Sequence, residues 1–149
     1  MKVTAVGARD RRYSVRTMAT VPLPEGYHSV NPYINVADVG RLIEFLAAVF
    51  GATEHGQREL APDNRVGHAE VCIGDSIVMI SQASETMPAR PCVLFVYTDD
   101  VVATYHAALS AGAVSIIEPT DQPWGDRVSG FNDPWNNRWW VATHLREFP

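Results

Sequence analysis

A histidine and a glutamate two residues apart form the first candidate site in this chain. His68 and Glu70 lie in an alternating run that predicts a β-strand, and side chains two residues apart on a strand share one face. An imidazole beside a carboxylate can exchange protons near neutral pH, so the pair is a candidate general acid and base. The alternative interpretation is a polar contact that supports the fold.

Aromatic and amide side chains form a second set, suited to binding a ligand. Trp139 and Trp140 are adjacent on a predicted strand, so their indoles point to opposite sides, and we expect one of the two to face a cleft. Aromatic faces bind planar or cationic molecules, although packing in the core or an interface is the alternative for each ring. The other candidate ligand-binding residues are Asn31, Tyr33 and Asn35, which alternate onto one face of a predicted strand, and Trp124 and Arg127.

Arg127 is the candidate for holding a carboxylate or phosphate near the mouth of that cleft. It follows Asp126 directly, and we expect the two to form a charged pair. A salt bridge that anchors a loop is the alternative role.

The elements that position these residues occur twice. Asp38 follows a strand-like run and precedes an amphipathic helix that ends at Gly51, and Asp100 precedes a second helix that ends at Gly112. The offset is 62 residues between the acidic residues and 61 between the glycines. Self-similarity at a nearly fixed spacing indicates two copies of one structural unit.

Each unit is predicted to have the order β-α-β-β-β. The first has strands over 28–36, 53–60, 66–73 and 76–82, and the second over 92–98, 114–118, 127–131 and 138–144. The first helix is expected to bury Val39, Leu42, Ile43, Leu46, Val49 and Phe50. The second, capped by Asp99 or Asp100, is expected to bury Val101, Val102, Tyr105 and Leu109. The predicted fold class is α+β, with two tandem modules, 27–83 and 91–145, forming a curved mixed sheet around a cleft.

Composition limits the classes of function. The 149 residues, 46% of them hydrophobic, predict one compact domain over 27–145, preceded by an extended or poorly ordered segment over 1–26. Residues 1–17 carry a net charge of +4, and Met18 is the expected natural start. Residues 18–149 carry a net charge of −9, which disfavours binding to nucleic acid.

No apolar run is long enough for a membrane span or a signal peptide. Cys72 and Cys92 are expected to be buried, reduced thiols in a cytoplasmic protein.

The ordered set of motifs resembles the vicinal oxygen chelate superfamily, the glyoxalase, bleomycin-resistance and extradiol-dioxygenase group. The motifs that carry the resemblance are the β-α-β-β-β duplication, Val49-Phe50-Gly51-Ala52, Gly67-His68-Ala69-Glu70, Gly74-Asp75-Ser76, Trp124-Gly125-Asp126-Arg127, Asp133-Pro134 and Trp139. The likeness covers about residues 27–145.

The resemblance also implies where metal ligands would lie. In the members that use a metal, each unit supplies one ligand early in its first strand and a glutamate on its last strand. The corresponding residues here are Asn31, Val78, Val93 and Trp140. The same correspondence implies that Trp140, rather than Trp139, is the indole that faces the cleft and binds the ligand. Valine and tryptophan side chains cannot ligate a divalent ion, so we expect no metal and no other cofactor.

The expected function is therefore metal-independent binding of an aromatic or cationic organic ligand in an aromatic-lined cleft. This is similar to the bleomycin-resistance proteins, and a role in antibiotic resistance and a homodimer with the cleft between subunits are expected by the same resemblance. The alternative is an enzyme of the superfamily, a lyase, isomerase or dioxygenase. It would use either a metal held by other residues or His68 and Glu70 as a metal-free acid and base. A protein that acts through its interface alone is a third class.

Overall fold

The structure, a computed structural model, describes residues 23–147, so most of the extension predicted over 1–26 lies outside the described residues. Two helices and two mixed sheets confirm the α+β class and the duplicated unit. The elements in chain order are β1 (Tyr33–Val36), α1 (Val39–Phe50), β2 (Thr53–Glu54), β3 (Glu59–Leu60), β4 (Val66–Ile73), β5 (Ser76–Gln82), β6 (Val93–Tyr97), α2 (Val101–Ser110), β7 (Val114–Asp121), β8 (Asp126–Asn132) and β9 (Arg138–His144).

The strands form two hydrogen-bonded sheets rather than one continuous sheet. The first sheet has the order β1-β5-β4-β2, with β3 also paired to β4, and the second has the order β6-β9-β8-β7. In each sheet the first strand of the unit runs parallel to the last, and the remaining pairs are antiparallel. The repeat in the sequence is therefore a repeat in topology.

Both helices begin at the predicted aspartates. The Asp38 carboxylate accepts a hydrogen bond from the N–H of Arg41, and the Asp100 carboxylate accepts from two N–H groups of the first turn. Gly51 ends α1 in the left-handed conformation, with φ 64°. In α2 the prediction for Val102 is wrong, because the turn of the helix places Thr104 and Ala108 inward beside Val101 and Tyr105, and Val102 is exposed.

Three strand predictions need correction. The first strand begins at Tyr33 rather than residue 28, because the Asn31 side chain closes a turn on the backbone of His28 and Pro32 has no N–H to donate. The strand predicted over 53–60 is divided into β2 and β3 around Gly56, which has φ 70°. Strand β7 continues past Pro119 to Asp121; it is an edge strand, where a missing N–H is tolerated.

The two modules share one hydrophobic core. Helix α1 packs on its own sheet and also places two rings against the second sheet, with centroid distances of 6.5 Å for Phe45 and Phe131 and 5.0 Å for Phe50 and Trp139. Phe131 and Trp139 are fully buried. Each sheet therefore has a core face, which packs on the helices, and an opposite face that we call its open face.

Two further observations concern the described residues. No helix within residues 23–147 has the length and apolar character needed to cross a bilayer. Cys72 and Cys92 are free thiols, as expected, but both are half-buried rather than buried.

Candidate functional site

The His68–Glu70 pair lies on the first open face, on strand β4. His68 Nε2 is 2.8 Å from Glu70 Oε1, and the Tyr27 hydroxyl donates a hydrogen bond of 2.5 Å to Glu70 Oε2. The rings of Tyr27 and His55 also form a T-shaped pair, with a centroid distance of 5.9 Å. The pair that the sequence predicts is thus part of a larger cluster, closed on one side by a residue from the segment that leads into β1.

The hydrogen bonds decide the charge and the tautomer in this cluster. Burial alone would raise the pKa of Glu70, but hydrogen bonds from Tyr27 and His68 outweigh it and hold the pKa below its ordinary value. An ionised carboxylate can accept but not donate, so Nε2 of His68 carries a hydrogen, and in the neutral ring Nδ1 is then the acceptor nitrogen. The hydrogen bond to Glu70 likewise raises the pKa of Tyr27, which keeps its hydroxyl protonated.

The other first-module candidates have different surroundings. Tyr33 lies on the open face, with its ring 5.9 Å from that of His68, and Asn35 accepts a hydrogen bond from the hydroxyl of Ser81. Asn31 precedes β1 and is bound in its turn with His28. The segment of residues 24–31, which we call the lead-in segment, crosses this face and covers Ile77, which is 1% exposed.

The second open face is aromatic. Phe95 on β6 is the direct neighbour of Trp140 on β9, and the Phe95 and Tyr97 rings are 5.2 Å apart. Trp140 is half-buried and lies over Gly130 of β8: a Cβ at that glycine would be 2.5 Å and 2.7 Å from two carbons of the indole. As predicted, Trp139 points the other way, into the core. A glycine beneath the indole lets the ring lie close against the sheet.

A buried carboxylate gathers the polar groups at one end of this face. Asp126 is 4% exposed, and its Oδ2 accepts hydrogen bonds from the Tyr97 hydroxyl at 3.0 Å and the Trp124 indole N–H at 3.2 Å. Its Oδ1 is 2.7 Å from Nδ1 of His144. The bond with His144, together with those from the two rings, lowers the pKa of Asp126, and the same contact raises the pKa of His144.

Arg127 does not face this site, and the expected Asp126–Arg127 pair is wrong. Adjacent residues on a strand point to opposite sides, so Arg127 lies on the face away from Trp140. There it forms a two-bond contact with Asp121, its cross-strand partner on β7, at 2.5 Å and 3.2 Å. This is the anchoring salt bridge that was the alternative role for Arg127.

Sequence reasoning missed Phe95, Tyr97 and His144 as members of this face. The signal was present, since Trp140 and His144 are four residues apart on a strand and so share a face. The sequence did not show that β9 lies between β6 and β8, which is what brings these residues together. Three of the four residues of the Asp126 cluster lie on different strands, and Trp124 lies in the turn between β7 and β8.

The residues at the family's metal positions do not fit a metal. The predicted position Val78 is wrong by one residue: Val78 is 3% exposed on the core face, and its neighbour Met79 pairs with Tyr33 on the open face. A thioether, an indole and a valine remain unsuitable for a hard divalent ion. Among the side chains that the structure describes, no three from His, Cys, Asp and Glu are grouped so as to hold a metal ion.

The chain belongs to the Glyoxalase/Bleomycin resistance protein/Dioxygenase superfamily, whose family model matches residues 26–141. The resemblance to the vicinal oxygen chelate group is thereby confirmed. The chain is 29% identical over 130 residues to the uncharacterized protein Mb0911c of Mycobacterium bovis. The matched region covers 80% of this chain and 85% of that protein. The uncharacterized protein Rv0887c of Mycobacterium tuberculosis is similar to the same degree, with 76% of its length covered.

Solved structures share the fold at low sequence identity. TioX from Micromonospora sp. ML1 superposes with a TM-score of 0.62 at 24% identity, covering 78% of this chain and 99% of TioX. TnmS3, an antibiotic binding protein from Streptomyces sp. CB03234, gives 0.61 at 22% identity, with 85% and 98% covered. The fosfomycin resistance protein FosX from Mesorhizobium loti gives 0.57 at 19%, with 78% and 91% covered. At these identities the likeness establishes the fold.

Proposed function

We propose that the protein binds a small aromatic or cationic organic molecule on the second open face, without chemistry on the ligand. The observation that carries this proposal is the exposure of that face: Phe95 is 52%, Tyr97 62% and Trp124 50% exposed, beside the half-buried Trp140. Large rings are seldom left together in water without a partner. The description of TnmS3 as an antibiotic binding protein on the same fold agrees with a binding role.

The two open faces differ in a way that favours the second. The lead-in segment occupies part of the first open face through Tyr27 and covers Ile77. Along the β6 edge of the second sheet, a groove of about 480 Å³ separates β6 from the Gly74–Asp75 hairpin and Val30 of the first module, and Phe95 and Tyr97 are part of its wall. A ligand on the aromatic face can therefore extend into a groove of suitable volume.

The binding is proposed to be metal-independent, because the side chains at the family's ligand positions cannot hold a metal. A screen of planar and cationic compounds, followed by tryptophan fluorescence and elemental analysis of the purified protein, tests both statements. We expect ligands that change the emission at micromolar to millimolar concentration, unchanged by a chelator. One tightly held metal ion per subunit, or binding lost on chelation, would contradict the metal-free site.

We also propose a homodimer that covers the exposed apolar groups of the second module. Edge strand β7 exposes Val114, Ile116 and Ile117, and edge strand β6 exposes Val93. Exposed apolar edges are typical of interfaces between subunits. Light scattering during size-exclusion chromatography should give twice the mass of the chain.

A metal-free enzyme is the second candidate function, favoured by the geometry of His68. Glu70 fixes the ring of His68 and its Nε2 hydrogen, which leaves Nδ1 as a possible base. In this function His68 would accept a proton from a bound carbon acid, and Glu70 would be a positioning residue.

If this second function operates, His68→Ala should lower proton abstraction by about 100-fold or more. The measurement is deuterium incorporation from D₂O into α-hydroxy ketones, followed by NMR. His106→Ala is the matched control, since His106 is exposed on α2 and lies outside the cluster. Equal rates for the wild type and both variants would exclude His68 as the base.

A further inference from the structure

We propose that the end of the second open face near Asp126 is a subsite for an alkylated ammonium group, built from the rings of Tyr97, Trp124 and His144. This inference rests on the proposed binding function and names the ligand class of the same face. The observation that carries it is the convergence of three ring donors on one buried carboxylate.

The hydrogen bonds turn the polar edges of these rings inward. The Tyr97 hydroxyl and the Trp124 indole N–H both donate hydrogen bonds to Asp126 Oδ2, so neither ring has a donor left for a ligand. Both residues are nevertheless at least half exposed, and the His144 side chain is 47% exposed. The surface left to a ligand is therefore mostly aromatic carbon.

A negative charge lies directly behind that carbon surface. The three contacts lower the pKa of Asp126, so it is ionised at neutral pH, and its side chain is 5% exposed. Arg138 is the cation on the same face of β9, six residues from His144 and so about 20 Å away. Arg146 follows β9 and lies beside Gly125, where its charge acts on Asp121. Near Asp126, Glu147 and Asp99 add further negative charge around His144.

Aromatic carbon with a carboxylate beneath it selects a particular kind of cation. Aromatic rings attract cations through their electron-rich faces, and the attraction is strongest where water is excluded. A primary ammonium ion needs acceptors for its N–H groups, but the Asp126 oxygens are buried and already accept three hydrogen bonds. A quaternary ammonium has no N–H group and no such need, and a tertiary ammonium has one N–H in place of three; in both, the charge is spread over carbon. The chemistry points to a tertiary or quaternary amine.

Three small probes that share a two-carbon alcohol arm test this inference by NMR titration of the full chain. Choline carries the trimethylammonium group, 3,3-dimethylbutan-1-ol is its neutral isostere, and ethanolamine carries a primary ammonium. We expect choline to shift the indole N–H signal of Trp124 and to bind about tenfold more tightly than either other probe. Equal binding of choline and its neutral isostere, or no binding of choline, would overturn the proposal.

Two variants test separately how the aromatic ring of Tyr97 and the charge of Asp126 contribute to choline binding. Tyr97→Leu removes an exposed ring and should weaken choline binding about tenfold, and Asp126→Asn should remove the preference for choline over its neutral isostere. Asp121→Asn is the control, because it makes the same change of charge in the same module on the face away from Trp140. If Asp126→Asn unfolds the chain, the Tyr97→Leu variant still tests the proposal, because undiminished choline binding in Tyr97→Leu would contradict the site.

A second readout is the pKa of His144, which titrates against Asp126, Glu147 and the nearby Tyr97 and Asp99. A cation bound beside Asp126 should lower the pKa of His144, and choline affinity should rise as the pH increases through that pKa. A pKa of His144 that does not move with saturating choline would contradict the subsite. Neutral aromatic compounds that still bind near Trp140 in that case would leave the proposed function intact.

Discussion

Replacing Asp133 by alanine is expected to lower the free energy of unfolding by about 3 kcal/mol or more. Asp133 is 2% exposed, and its carboxylate accepts hydrogen bonds from the N–H groups of Trp135 and Asn137, the Asn137 amide and the Trp139 indole. All four lie between 2.9 Å and 3.0 Å. The substitution leaves the indole N–H of the fully buried Trp139 without an acceptor.

Urea unfolding followed by tryptophan fluorescence measures this effect. Asp63→Ala is the matched control: Asp63 also lies in a turn, but its side chain is 54% exposed and contacts Arg65. We expect a clearly lower urea midpoint for Asp133→Ala and little change for Asp63→Ala. Equal midpoints for the two variants would show that the Asp133 contacts add nothing to stability.

Gly130→Ala should disrupt the aromatic face while leaving the fold intact. The new methyl group would lie 2.5 Å from the Trp140 indole, so the ring must leave its position on β8. A displaced indole loses its contact with a ligand on that face, and we expect the affinity for compounds found in the fluorescence screen to fall about tenfold. The Trp140 indole signal in the NMR spectrum should move at the same time.

Gly67→Ala is the control for this substitution. Gly67 lies in β4, where an added Cβ would meet its nearest atoms at 3.6 Å, an ordinary contact distance. We expect unchanged affinity and an unchanged Trp140 signal in that variant. Wild-type affinity in Gly130→Ala would show that the position of Trp140 does not determine binding.

Local signals in the sequence predicted the secondary structure well in two cases: strands whose side chains alternate between apolar and polar, and helices that end at capping residues. Strands β4, β5 and β9 have the predicted bounds, and Asp38 and Gly51 bound α1 as expected. The single-residue error at Val78 has a simple origin. The offset between the modules changes from 62 to 61 residues along the repeat, and a shift of one residue on a strand moves a side chain to the other face.

The candidate site was harder to predict because it depends on pairing between strands. Asp126 and Arg127 are neighbours with opposite charge, which suggested a contact, but their strand separates them onto opposite faces. Two of the three actual partners of Asp126 are distant in sequence: Tyr97 lies 29 residues before it and His144 18 residues after it. His68 and Glu70 were found because their contact lies within one strand.

The rings of Phe45 and Phe50 on the second sheet have a consequence for how the chain folds. The duplication is visible in the sequence, yet we expect neither copy to fold on its own, because each would lack a wall of its core without the other. Amide hydrogens in β4 and β9 should therefore exchange with the same opening free energy, in a single cooperative event. Domains that arose by duplication can thus lose their autonomy while they keep their internal symmetry.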